Sequence, residues 1–159
     1  MSDNKHDILT VLQDVRDGNL TPEGALLRLK LSPFEDLGYA KVDYHRAVRQ
    51  GAAEVIFGQS KTTEQILGIL GSMERRQCTN VLVTRINQET ADALSERFPV
   101  RYNALARLAV VFPKALEGRG SIVVATGGTS DMGVAEEAAI TAEALGNAVT
   151  RLYDVGVAG

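Results

Sequence analysis

The stretch of residues 121–139 constrains what this chain can fold into more than any other part of the sequence. It begins with four apolar, mostly β-branched residues, Ile122 to Ala125, continues through small residues and then takes on a helical pattern. Such a run is typical of a buried parallel strand that passes through a tight turn into a crossover helix. The turn itself, residues 127–131, reads Gly-Gly-Thr-Ser-Asp and is referred to below as the elbow.

The elbow is rich in residues that suit a strand-to-helix turn. Gly127 and Gly128 permit backbone angles and close approaches that a Cβ would block, while Ser130 and Asp131 can both cap the following helix. Such a turn leaves free N–H groups at a helix N-terminus, where a phosphate can bind. Plain turn chemistry stays open as the alternative, because most strand-to-helix connections use glycine, serine or aspartate.

The elbow does not match two common phosphate-binding motifs. No Gly-Lys-Ser/Thr follows the glycines, so the pattern of a P-loop is missing. The glycine spacing also differs from the G-x-G-x-x-G of a dinucleotide-binding turn. The sequence therefore disfavours both of those mechanisms.

Composition limits the classes of protein to which the chain can belong. Its 159 residues, 45% hydrophobic and 23% charged, suit one ordinary globular domain or one small domain plus part of another. The net charge of −3 attracts neither nucleic acid nor an anionic membrane, so we expect no such partner. Neither a spanning segment nor a signal peptide is visible, and we expect a cytoplasmic location.

The chain contains few residues that could bind a metal ion or undergo redox chemistry. One cysteine, Cys78, excludes an internal disulfide and any cysteine-based zinc site, and His6 and His45 lie far apart in sequence. We therefore expect no metal site. Cys78 precedes a strand-like run, which favours a buried small hydrophobic residue over a reactive thiol.

The amino-terminal part predicts a helical hairpin. Apolar residues recur at helical spacing up to Gly18-Asn19, and Thr21-Pro22-Glu23 has the pattern of a helix start. The second helix should run through Leu31 and bury Leu26, Leu27 and Leu29. Its role is either packing or a subunit contact. Residues 33–38 then read as a loop, and residues 39–43 as a short extended segment.

Residues 43–58 contain a candidate ligand-binding stripe. If residues 43–50 are helical, Asp43, Arg46 and Arg49 fall three apart on one face. The acid could then orient a guanidinium that binds a carboxylate or phosphate. The alternative is a surface ion pair that contributes little.

Strands and helices alternate after this segment and predict the domain organisation. The order β-α-β-α-β indicates an α/β domain with a parallel sheet over residues 1–112, including the leading hairpin. Within this domain, Thr62-Thr-Glu-Gln65 matches a capping box, and Asn87 can cap a later helix. Residues 113–120 read as a linker. Residues 121–159 read as the start of a second domain, whose strands at 122–126 and 148–153 should pair in parallel. Because one βαβ unit buries little surface, this domain is expected to be incomplete.

Three segments together resemble the LarB family. They are residues 43–62, 128–139 and 153–159. That family makes pyridinium-3,5-biscarboxylic acid mononucleotide, the first intermediate of the nickel-pincer cofactor, and its C-terminal domain is similar to PurE, the aminoimidazole ribonucleotide carboxylase or mutase. The resemblance implies that residues 121–159 begin a PurE-like, flavodoxin-like, doubly wound domain. The chain departs from the family at three positions, with Ala53 for Pro, Ser60 for Gly and Gly127 for Ala.

The resemblance also implies a reaction. LarB-type enzymes carboxylate the pyridinium ring of nicotinic acid adenine dinucleotide with CO2 or bicarbonate, and cleave its phosphoanhydride to release AMP. A cysteine adds transiently to the ring. That cysteine lies beyond the segment matching Gly159 and Cys78 does not match it, so we expect no catalytic residue and no activity in this chain alone. The implied partners are the nucleotide and, in the complete protein, further copies of it. No tightly bound cofactor is expected, and Mg²⁺ beside the phosphates is left open.

Site residues follow from the same resemblance. In PurE the corresponding turn reads Gly-Ser-x-Ser-Asp and holds the phosphate and ribose region, and Ser130 and Asp131 match it, whereas Gly128 replaces the first serine. The His-Arg pair of the family is expected beyond Gly159. An aminoimidazole ribonucleotide carboxylase-like enzyme of purine biosynthesis and a non-catalytic assembly fragment remain alternatives. The implied nucleotide-binding residues are Gly127, Gly128, Thr129, Ser130 and Asp131, with Asp43, Arg46 and Arg49 as ligand or interface residues.

Overall fold

The computed structural model describes residues 3–31, 34–36, 38, 41–43, 54–116, 118 and 120–156. The chain divides into two compact units. One comprises Met1–Ala52 with Leu67–Cys78, and the other Ala53–Ile66 with Thr79–Gly159. None of the helices in the described ranges combines the length and hydropathy needed to span a bilayer.

The first unit begins with a helical hairpin. Helix α1 covers Asp3–Arg16 and helix α2 covers Pro22–Leu31, so the predicted hairpin is confirmed. Gly18 has φ +76° and ends α1 in the left-handed conformation that glycine favours. The Thr21 hydroxyl accepts a hydrogen bond from the Gly24 N–H at 3.0 Å, which caps α2 as the sequence indicates.

Two details of the first unit differ from the prediction. Leu26 and Leu27 are 55% and 58% exposed, so the predicted burial is wrong for these two residues. A pair of helices buries only a narrow stripe, and among the α2 residues whose burial is described, Ala25 is buried and Leu29 is half-buried. The predicted loop is also wrong in part, because β1 (Phe34–Asp36) pairs antiparallel with β2 (Lys41–Asp43). A three-residue strand is too short to show an alternating pattern.

The second unit contains a four-stranded sheet. Its order is β3-β4-β6-β5, with β3 and β4 parallel and the other two pairs antiparallel. The α/β class is thus confirmed, while the parallel arrangement holds for one pair of neighbours. Residues 104–107 join β5 to β6 and are too few for the crossover that parallel neighbours require. The strands are β3 (Val55–Phe57), β4 (Val81–Thr84), β5 (Val100–Asn103) and β6 (Leu108–Val111).

Two helices begin at caps that the sequence predicts. Helix α3 covers Thr63–Arg75, with its first turn in the second unit and the rest in the first, and α4 covers Gln88–Ser95. The Thr62 hydroxyl accepts from the Gln65 N–H at 3.3 Å, and the Gln65 side chain accepts from the Thr62 N–H at 3.1 Å. This reciprocal pair is a capping box. The Asn87 side chain accepts from the Thr90 N–H at 2.9 Å and caps α4.

Gly58 directly follows β3, at a position that has no room for a side chain. A Cβ at this position would lie 2.6 Å from Ile86 Cγ2 and 2.8 Å from the Thr84 carbonyl oxygen. We expect Gly58→Ala to lower the free energy of unfolding by roughly 1–3 kcal/mol, because the added methyl overpacks the site. Urea denaturation should show this loss, with Gly118→Ala as the control, since a Cβ there meets nothing within 4 Å. Equal stability of the two variants would contradict the packing argument.

A parallel βαβ unit forms the rest of the second unit. Strands β7 (Ser121–Ala125) and β8 (Ala148–Leu152) pair in parallel, with Ser121 opposite Ala148 and Ala125 opposite Leu152. A 3-10 helix (Thr129–Asp131) leads into helix α5 (Met132–Ala144). The predicted parallel pairing and the predicted helix start near Met132 are both confirmed.

Helix α5 packs into the same hydrophobic core as the four-stranded sheet. Ala144 belongs to a buried cluster with Leu82, Leu108 and Val110, and Ile140 packs against that cluster.

The buried side-chain amide of Asn80 makes two hydrogen bonds with the backbone of Lys114. It accepts from the Lys114 N–H at 2.8 Å and donates to the Lys114 carbonyl at 2.9 Å. The segment after β6 is therefore fixed at its start. The domain boundaries drawn at residues 113–120 stay a prediction.

Candidate functional site

The elbow lies at the carboxyl edge of the β7–β8 pair. β7 ends at Ala125 just before the elbow, and β8 ends at Leu152 just before the turn of residues 153–156. Because the two strands are parallel, the elbow and this second turn lie at the same edge. In open α/β sheets, ligands bind in the crevice outside the carboxyl ends of the strands.

Thr126 joins the two turns. Its N–H donates to the Leu152 carbonyl at 3.0 Å, and its carbonyl accepts from the Val155 N–H at 2.9 Å. Its hydroxyl accepts from the Asp154 N–H at 3.1 Å. Thr126 is buried, so these bonds are shielded from water. Sequence reasoning missed this residue, although a polar residue directly after an apolar strand was a visible signal.

The backbones of the two turns touch at a glycine. A Cβ on Gly156 would lie 2.3 Å from the Gly127 carbonyl oxygen, which is far inside contact distance. Asp154 has φ +59°, a left-handed conformation that Asp adopts more readily than most residues. The turn after β8 therefore supports the elbow directly and fixes its position.

The elbow glycines face open space. A Cβ on Gly127 or Gly128 would meet nothing within 4 Å, and Gly128 has extended backbone angles of φ −157° and ψ 171°. The conformational freedom that these glycines permit is therefore not required by any contact within the described residues. What their missing side chains leave is free volume in front of the amino end of α5.

The side chains of the elbow do not cap the helix. Asp131 occupies the N-cap position of α5, as predicted. Its carboxylate makes no capping hydrogen bond, so the prediction that this side chain caps the helix is wrong. The Ser130 hydroxyl donates one long hydrogen bond, of 3.5 Å, to an Asp131 carboxylate oxygen, and both residues are exposed. The hydroxyl and the carboxylate thus remain available to a ligand, next to the positive end of the helix dipole.

A charged network ties β8 to α5 beside the elbow. Arg151 pairs with Glu136 at 3.2 Å and with Glu143 at 2.5 Å, and the Tyr153 hydroxyl donates to Glu136 at 2.8 Å. The hydrogen bond to Glu143 raises the pKa of Arg151 above its ordinary value. Burial, and next the hydrogen bond to Glu136, raise the pKa of Tyr153. Both groups keep their protons near neutral pH and so serve to position β8 rather than to transfer protons.

We expect Tyr153 to ionise only above its ordinary pKa of about 10. The stability linked to this proton is complete below that pH and is lost as pH rises through the higher pKa of the folded state. The difference in phenolate absorbance between the parent chain and Tyr153→Phe measures the titration. Glu136→Gln should shift it to lower pH, and a titration unaffected by Glu136→Gln would contradict the assigned hydrogen bond.

The other predicted site residues are placed only in part. Asp43 ends strand β2, so the expectation that it starts a helix is wrong: its backbone pairs with Phe34. Arg46 and Arg49 lie outside the described residues, and the ligand role of all three stays a prediction. Cys78 is partly buried. Within the described ranges, no cluster of three or more His, Cys, Asp or Glu side chains could hold a metal ion.

Comparison with known proteins gives the family. The model of the LarB/PurE-like N-terminal domain matches residues 34–113, a range that ends before the elbow. An uncharacterized protein of Methanocaldococcus jannaschii is 29% identical over 171 aligned residues, which cover 100% of this chain and 64% of that relative. The chain thus spans a little under two thirds of the relative's length. The chain belongs to the LarB/PurE-like N-terminal domain family.

Proposed function

We propose that this chain serves a LarB-type reaction, in which the pyridinium ring of nicotinic acid adenine dinucleotide is carboxylated and the phosphoanhydride is cleaved. The elbow would hold the nucleotide. The observation that carries this proposal is the open, uncapped elbow at the carboxyl edge of β7 and β8, with exposed Ser130 and Asp131. Family membership supports the reaction class, since it relates the chain to LarB and PurE.

The chemistry of the elbow suits a phosphate next to a ribose. The helix dipole favours an anion at the amino end of α5, and the open space beside Gly128 leaves room for one. The Ser130 hydroxyl can donate to a phosphate oxygen. The Asp131 carboxylate accepts hydrogen bonds only, so it suits the ribose hydroxyls and not the phosphate.

The proposed contribution of these residues is binding and orientation. In the LarB-type reaction a carbon–carbon bond to CO2 replaces a carbon–hydrogen bond of the ring, whose proton is released, and water cleaves the phosphoanhydride to give the mononucleotide and AMP. Fixing the phosphate and ribose at a rigid elbow holds the ring at one position, which lowers the entropic cost of reaching the transition state. The support of the elbow by Thr126 and Gly156 provides this rigidity.

Titration calorimetry of the chain with nicotinic acid adenine dinucleotide tests the proposal. We expect Asp131→Asn to weaken binding by about tenfold or more, because the neutral amide accepts from the ribose hydroxyls less strongly than a carboxylate. Asp92→Asn, at an exposed position of α4, is the matched control and should bind like the parent chain. In an assay of the complete enzyme, Asp131→Asn should lower turnover by more than tenfold.

Two binding results would contradict the proposed function. If Asp131→Asn binds the dinucleotide as tightly as the parent chain, Asp131 only occupies the N-cap position of α5 and does not contact the ligand. If aminoimidazole ribonucleotide binds in preference to the dinucleotide, the alternative of a purine-pathway carboxylase replaces the proposed reaction. Binding should be measured at fixed, low salt, since phosphate contacts weaken as ionic strength rises.

A further inference from the structure

A second cleft lies within the second unit, lined by none of the elbow residues. It has a volume of about 480 Å³, within the range of small-molecule sites. Its floor comes from β5 and β6, one wall from the segment after β6, and the other from the carboxyl end of α5. Its apolar part includes Val110, Ile140 and Ala144, which belong to or pack on the buried cluster.

Two cations of this cleft are not paired within the described part of the chain. Neither the Arg101 guanidinium nor the Lys114 ammonium has a hydrogen-bond or ion-pair partner there, although the described structure contains several ion pairs. The carboxylate of Glu143 also lines the cleft, but Arg151 neutralises it through two hydrogen bonds. Among the described residues, the free charge in the cleft is therefore positive.

The backbone of both cationic residues, Arg101 and Lys114, is held in place by hydrogen bonds. Arg101 lies on β5 directly opposite Val110 of β6, so its Cα is held by the sheet. Lys114 is held by the two hydrogen bonds from the buried Asn80 amide. The Ala142 carbonyl near the carboxyl end of α5 already has donors, because Asn147 donates to it through its backbone and its side chain, each at 3.1 Å. A backbone that is already fixed lowers part of the entropic cost of binding an anion between the two side chains.

We propose that this cleft binds a phosphate monoester of about mononucleotide size. Arg101 and Lys114 would hold the phosphate, whose charge of about −1.5 to −2 at neutral pH matches two cations better than a carboxylate does. The body of the ligand would lie on the apolar surface of Val110, Ile140 and Ala144. This site is independent of the proposed elbow, because the two share no residue.

Calorimetry with three probes tests the proposal: adenosine 5′-monophosphate, ribose 5-phosphate and adenosine. The phosphate-bearing probes should bind, and adenosine should bind at least tenfold more weakly than its monophosphate. Arg101→Ala and Lys114→Ala should each weaken monophosphate binding by about tenfold, the loss expected for one charge-assisted hydrogen bond. The control pair Lys61→Ala and Arg97→Ala removes equal charge outside the cleft and should leave binding unchanged.

Three outcomes would overturn the proposal. One is that neither phosphate-bearing probe binds. Another is that adenosine binds as tightly as its monophosphate, since the cations would then play no part. The third is that Gly128→Val abolishes monophosphate binding while Arg101→Ala and Lys114→Ala do not, because the ligand would then occupy the elbow. Retained monophosphate binding in Gly128→Val, with loss in the two cleft variants, would support the cleft even if the elbow proposal fails.

Discussion

Gly156→Ala is expected to lower the free energy of unfolding by about 3 kcal/mol, the upper end of the usual cost of overpacking. The new Cβ would lie 2.3 Å from the Gly127 carbonyl oxygen and 3.4 Å from the carbonyl carbon. These are backbone atoms, which cannot rotate away as a flexible side chain would. Either the turn after β8 or the elbow must move.

Thermal and urea denaturation measure the effect of Gly156→Ala. Gly127→Ala is the matched control, because it adds the same methyl group on the other side of the contact and meets nothing within 4 Å. We expect this control to unfold like the parent chain. If both alanine variants are equally stable, the two turns are not in the close contact that positions the elbow.

Gly128→Val is expected to weaken binding of nicotinic acid adenine dinucleotide by more than 100-fold while leaving the fold stable. The extended backbone of Gly128 suits a β-branched residue, and apart from its chain neighbours no described residue has an atom within 4 Å of the added Cβ. The isopropyl group would instead fill the volume in front of the helix, which the proposal assigns to the phosphate.

Binding and stability should be measured on the same preparation of Gly128→Val. Ala138→Val serves as the control, because it adds the same two methyl groups at an exposed position of α5. The control should retain both affinity and stability. A Gly128→Val variant that binds like the parent chain would mean that the free volume at the elbow is not used by this ligand.

Local signals in the sequence predict the local structure well. The capping box of Thr62 and Gln65 and the Asn87 cap are confirmed at atomic distances, because a cap depends on residues three apart in the chain. The βαβ unit is confirmed for a related reason. A β-branched run, a glycine turn and a helical pattern follow each other within one short stretch.

Features set by distant residues were harder to predict. The antiparallel pairing of β4 with β6 depends on which strands meet, and alternation along the chain does not encode that choice. The exposure of Leu26 and Leu27 depends on how narrow the contact between α1 and α2 is. The contact of Gly156 with Gly127 joins two turns and has no local signature. For the candidate site, the sequence therefore indicated the small and polar residues of the elbow, but it did not indicate the contacts with the second turn that hold the elbow in place.

The most direct test of the nucleotide-binding elbow is an NMR titration of the ¹⁵N-labelled chain with nicotinic acid adenine dinucleotide. The account predicts that the largest amide shifts fall on residues 126–131 and on the turn of residues 153–156, which lie at the same edge of the β7–β8 pair. It also predicts that these shifts disappear in Gly128→Val. Saturable shifts confined to other parts of the chain, with the elbow amides unmoved, would contradict it.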